Sequence, residues 1–98
     1  MSDQKDILFD FLDKASCDER LLPSHISLFT AMYNLLRQTG AGNKVRISRK
    51  KLMPMAKIQS ISTYHRCISD LTAFNYVIYQ PSYDHFSGSF IIFNDTGN

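Results

Sequence analysis

Apolar residues recur along this chain in two rhythms, and the switch between them marks out the elements. Ile7, Leu8, Phe11 and Leu12 fall on one side of a helix, with Asp6, Asp10 and Asp13 on the other. That spacing predicts an amphipathic helix over residues 3–14. Residues 15–23 read as a linker ending at Pro23. Ser24 is a favourable N-cap for a second helix over 24–39. Its residues Ile26, Leu28, Phe29, Ala31, Met32, Leu35 and Leu36 cover most of one side, which predicts a central place in the core. Gly40-Ala41-Gly42-Asn43 stops it.

The rhythm then drops to two. Val45 and Ile47 alternate with Arg46 and Ser48, as in a short, half-buried strand. Ser48 caps a short helix from Arg49 to about Met53, and Pro54, which lacks a backbone donor, predicts a bend or an early end. Lys57-Ile58-Gln59 is a turn. Ser60 or Ser62 caps a helix running to about Phe74, with Ile61, Tyr64, Ile68 and Leu71 inward, helped by Cys67 and Phe74. Asn75 suits the left-handed position after a helix. Tyr76–Gln80 and Ser89–Phe93 are β-rich and flank a loop of turn formers, as in a hairpin with a long tip.

Helix, short strand, short helix, turn, helix, hairpin is the order of a winged helix-turn-helix domain. The expected fold is therefore α+β: a three-helix core plus a β-hairpin wing, with an extra N-terminal helix. Residues 1–22 are the acidic N-terminal helix and linker, and 23–94 the winged helix-turn-helix domain.

Charge adds direction to this outline. The net charge of +2 conceals a segregation. Residues 1–19 carry net −4, residues 20–69 hold nine basic groups and no acid, and residues 70–98 carry net −3. A basic block between acidic flanks suits a polyanionic partner, although a solvated positive face has the same composition. No apolar run approaches the ~20 residues that span a membrane. The polar start Met1-Ser2-Asp3-Gln4-Lys5-Asp6 is wrong for a secretory signal, so a cytoplasmic location is expected. Cys17 and Cys67 are then expected as free thiols.

Double-stranded DNA is the expected partner. With the inward stripe assigned, Ser62, Thr63, His65, Arg66 and Ser69 face outward. Short donors and acceptors let a helix approach the major groove, and Arg66 can reach a guanine edge or a phosphate. Ser62, Thr63, His65 and Arg66 are the expected base contacts. Arg49, Lys50 and Lys51 occupy the first turn of the short helix, where cations oppose the helix dipole at roughly 0.3–1 kcal/mol each when exposed. A bound phosphate reverses that penalty. Lys44, Arg46, Ser48, Arg49, Lys50, Lys51, Lys57, Ser60 and Ser69 are the expected phosphate contacts. The hairpin tip offers Tyr83, His85 and Ser87 for backbone contact.

Across residues 24–93 the chain resembles a family of small winged-helix proteins carried by mobile elements of gut anaerobic bacteria. The resemblance rests on Ser27-Leu28-Phe29, Ile47-Ser48-Arg49, Lys57-Ile58-Gln59-Ser60, Thr63-Tyr64-His65-Arg66-Cys67, Leu71, Asn75-Tyr76-Val77-Ile78-Tyr79, Pro81-Ser82 and Gly88-Ser89, and residues 57–67 are its most specific part. Some relatives look like excision factors of conjugative transposons, which bind and bend DNA at the element's end and steer an integrase toward excision. Others look like transcriptional regulators. The resemblance implies DNA binding first and an excision role, with an integrase as partner, second. Pro54 departs from the pattern, and the acidic helix lies outside it.

Other readings fare less well. Neither the histidines His25, His65 and His85 nor the cysteines show a CxxC or HxxxH spacing, so no metal site is expected. There is no Gly-rich phosphate loop and no nucleophile elbow, so neither catalysis nor a cofactor is expected. The stronger rival is a winged-helix module for protein interaction, with residues 3–14 and 83–86 as its surfaces. The N-terminal helix either closes over the domain's own core or pairs with a second copy.

Overall fold

Asp6 sets the start of the first helix. Its carboxylate accepts the backbone N–H groups of Leu8 at 3.1 Å and Phe9 at 3.3 Å, which are among the donors a helix start leaves free. The computed structural model describes residues 6–81 and 88–94. Among them the order is α1 (Ile7–Ala15), α2 (Pro23–Thr39), β1 (Lys44–Ile47), α3 (Arg49–Ala56), α4 (Ile61–Ala73), β2 (Val77–Gln80) and β3 (Ser89–Phe93). The fold is α+β, with four helices and one antiparallel sheet of strand order β1-β3-β2.

The helix α1 closes over the core of its own chain. Phe11 stacks on Phe29 of α2 with ring centroids 3.7 Å apart, and meets the edge of Tyr76 at 5.2 Å. Phe29 in turn meets Phe93 of β3 at 5.1 Å. One aromatic stack thus joins α1, α2, the α4–β2 turn and the sheet. Leu12, expected in the buried stripe, is at the margin of exposure, and Ala15 is buried in its place. The linker is fastened as well. Arg20 forks onto Asp18 through Nε at 2.9 Å and its terminal nitrogen at 2.8 Å, and the Tyr76 hydroxyl donates to the same carboxylate at 2.7 Å. The Arg20 guanidinium also lies 3.9 Å over the Phe74 ring.

Pro23, not Ser24, opens α2. Pro suits the first helical position because its missing N–H has no partner there in any case. The N–H of Leu22 is taken instead by Nδ1 of His25 at 2.8 Å. That leaves the proton on Nε2, which donates to Asp70 of α4 at 2.9 Å. His25 is buried, so this ring joins the start of α2 to the last turn of α4.

Pro54 does not end α3. The helix passes through it and closes after Ala56, where Lys57 adopts the left-handed conformation. The N–H of Lys57 returns to the Pro54 carbonyl and that of Ile58 to Met53, a Schellman closure that satisfies two late carbonyls. Buried Leu52 and Ala56, and a hydrogen bond from Ser27 to the Ala56 carbonyl, hold the helix against α2. This packing outweighs the backbone bond that proline removes. At the end of α4 the same closure recurs, with Asn75 left-handed and Tyr76 returning to Leu71.

The sheet was only half visible as a hairpin, because β1 joins it through a pairing across more than forty residues, Val45 with Ile91 and Arg46 with Phe90. Val45, Ile47, Val77, Ile91 and Phe93 are buried against the helices. Lys44, Arg46, Ile78, Phe90 and Ile92 lie on the opposite face. Gly88 sits where the hairpin returns to β1. Its φ is +74°, and a Cβ there would lie 2.8 Å from the Ile47 carbonyl oxygen. Both free cysteines are accounted for: Cys17 is exposed, and Cys67 is buried with its thiol donating to Ser24 at 3.4 Å. Among the described residues no helix is long and apolar enough to cross a membrane.

Candidate nucleic-acid interface

Ser60 starts α4, its hydroxyl accepting the N–H of Thr63 at 3.2 Å and lying 3.0 Å from that of Ser62. From there Tyr64, Cys67, Ile68 and Leu71 turn inward and are buried. The opposite edge shows Ser62, His65, Arg66 and Ser69 to solvent. These positions span about 10 Å along the axis, the length of about three base-pair steps. Two expectations change here. Ile61 is half exposed and joins this edge instead of the core. Thr63 is half-buried, so it is the least accessible of the four expected base contacts. Ile61 is the first residue of the helix, and the buried stripe begins one turn later at Tyr64.

The start of α3 stands beside this edge. The Ser48 hydroxyl accepts the N–H of Lys51 at 3.3 Å. Arg49, Lys50 and Lys51 are all exposed around the remaining free N–H groups. An open groove of about 560 Å³ runs between α4 and the base of the hairpin. Its rim carries Ser48, Arg49, His65 and Ser69, over a floor of Ile47, Tyr64 and Ile68. Burial pushes the Tyr64 hydroxyl up to about 12, so it stays neutral in that floor. Tyr79 and Ser89, whose hydroxyls lie 2.9 Å apart, close the far side. Both belong to the segments that carry the resemblance, but neither was expected at the site, because their place there depends on the hairpin register.

The remaining cations divide. Lys57 is exposed at the α3–α4 turn. Lys44 and Arg46 sit on the outer face of the sheet, 4.6 and 5.6 Å from the centre of the Phe90 ring. They are not on the groove beside α4, although they share a neighbouring groove with Lys51 along the free edge of β1. Tyr83, His85 and Ser87, expected at the hairpin tip, lie outside the described residues.

No family model, curated protein or solved structure matches the chain. The site therefore rests on its own chemistry. Among the described residues no ion pair involves Arg49, Lys50, Lys51, Lys57 or Arg66, whereas Arg20 and Lys14 are each paired with a neighbouring aspartate. Exposed cations without acids, short hydroxyls and free helix N–H groups form a surface that attracts and orients an anion.

Proposed function

We propose that the chain is a non-enzymatic, sequence-specific DNA-binding protein of the winged helix-turn-helix class. In this reading α4 enters the major groove and α3 anchors the backbone. The element order supports it: α2, β1, α3, α4 and the β2–β3 hairpin follow one another as that class requires. The observation that carries it is the exposed edge of α4, where Ser62, His65 and Arg66 stand clear of α1 and beside the unpaired cations of α3.

Salt tests it. Five cations on this surface, Arg49, Lys50, Lys51, Lys57 and Arg66, give a slope of log affinity against log salt of about −4.5 if each neutralises one phosphate. Lys50→Ala lowers that slope by about 1 and weakens all sequences alike. A chain that binds no duplex at low salt is a protein-interaction module instead.

Of the two roles the resemblance implies, we put an excision factor of a mobile element, acting with an integrase, first and a transcriptional regulator second; residues 57–67 support DNA binding and do not separate them. Footprinting around the protein's own gene, with and without a neighbouring integrase, separates the two. Protection at an element end supports excision, and protection at a promoter supports regulation.

A further inference from the structure

Two exposed apolar patches remain that neither the core nor the α3–α4 surface uses. The first is on α1. Its buried side is spent on Phe11 and Ala15, yet Phe9 is 63% exposed and Leu12 36%, with Asp13 beside them on the outward face. Residues 9, 12 and 13 follow the i, i+3, i+4 spacing of one stripe. The second is the outer face of the sheet. Ile78, 48% exposed, pairs across the strands with Ile92, and Phe90 lies next along β3. Lys44 and Arg46 stand over Phe90. Neither has an acidic partner among the described residues.

The two patches complement each other. One is apolar with an acidic border, in a segment that carries net −4 over residues 1–19, and the other is apolar with a basic border. Both are open on the same molecule, so one copy cannot satisfy them with itself. We infer that the outer face of the sheet receives α1 of a second copy, Phe9 and Leu12 resting on Ile78 and Ile92 and Asp13 facing Lys44 and Arg46. Such a contact is heterologous: it joins head to tail and leaves one patch of each kind free at the ends of the assembly. A nine-residue helix on a three-stranded face covers less than a standard stable interface, so the association is weak and shows at high concentration. The inference does not depend on DNA binding, and its test contains no DNA.

Sedimentation equilibrium of the full chain from about 10 μM to about 1 mM, a range that brackets weak association, reads the average mass directly. The expected mass rises with concentration beyond a dimer. Phe9→Ser and Ile78→Ser, both at exposed positions, each weaken the rise at least tenfold, with the helix signal in circular dichroism unchanged. A 1:1 mixture of the two variants forms a heterodimer and stops there, because only one intact pair of patches remains. A wild-type chain that stays monomeric throughout overturns the inference. So do variants that associate like the wild type, or a mixture that stays monomeric, since that last result marks a symmetric interface.

Discussion

Replacing His25 by alanine tests how α4 is held. The ring lies buried between the start of α2 and the last turn of α4, accepting from Leu22 and donating to Asp70. Alanine removes both bonds and leaves a hole. Leu22 is about half exposed, so leaving its N–H without the ring costs about 1 kcal/mol, the low end for an unmade bond. The hole costs about 2 kcal/mol more. A total of about 3 kcal/mol lowers the thermal midpoint by roughly 12–24 °C in a domain of this size. Asp70→Asn is the control. Its amide oxygen still accepts from Nε2, and its side chain is a third exposed, so the cost is at most about 1 kcal/mol. Asp70→Ala falls between. Thermal unfolding followed by circular dichroism reads all three. If His25→Ala melts within about 4 °C of the wild type, or if Asp70→Asn costs as much as His25→Ala, the ring is not the link described here.

Three further outcomes are expected. Arg66→Ala costs about 1–3 kcal/mol at the cognate DNA site and relaxes specificity there, and wild-type binding in a competition assay removes α4 as the reader. Gly88→Ala destabilises by more than Gly42→Ala in urea unfolding, because both backbones are left-handed but only Gly88 also crowds the Ile47 carbonyl; equal midpoints contradict this. The Tyr76 hydroxyl is pushed up to about 12, first by burial and then by its bond to Asp18. Its contribution to stability is complete below the ordinary value of 10.0 and is lost as pH rises through the raised one. Tyr76→Phe therefore flattens the fall in stability between pH 10 and 12, and an unchanged slope refutes the role.

The candidate surface was legible wherever local chemistry decided the structure. Ser48 caps its helix, Ser60 of the two candidate serines caps the next, and Asn75 takes the left-handed position, all from residue type, while spacing gave the stripe of Tyr64, Ile68 and Leu71 that turns the polar edge of α4 outward. What escaped depends on residues distant in sequence. A lone histidine gives no sign that Asp70, forty-five positions later, will meet it. Nor does Val45 announce Ile91 as its partner. Pro54 misled because its local penalty is plain, while what overrides it is the contact of Leu52 and Ala56 of the same helix with α2, where Ser27 bonds the Ala56 carbonyl. Ile61 misled for the opposite reason: a helical period cannot tell whether a neighbour is there to cover its first residue.

The stacking of Phe11 between Phe29 and Tyr76 bears on how this protein can be dissected. A fragment beginning at Pro23 retains every residue proposed to touch DNA. It also uncovers two aromatic rings and forfeits about 2–3 kcal/mol of buried phenylalanine, a large part of what so short a chain has to spare. Shortening the protein to α2 and the elements after it would therefore yield a sticky, half-melted remnant, and its failure to bind would say nothing about the surface it was cut to display.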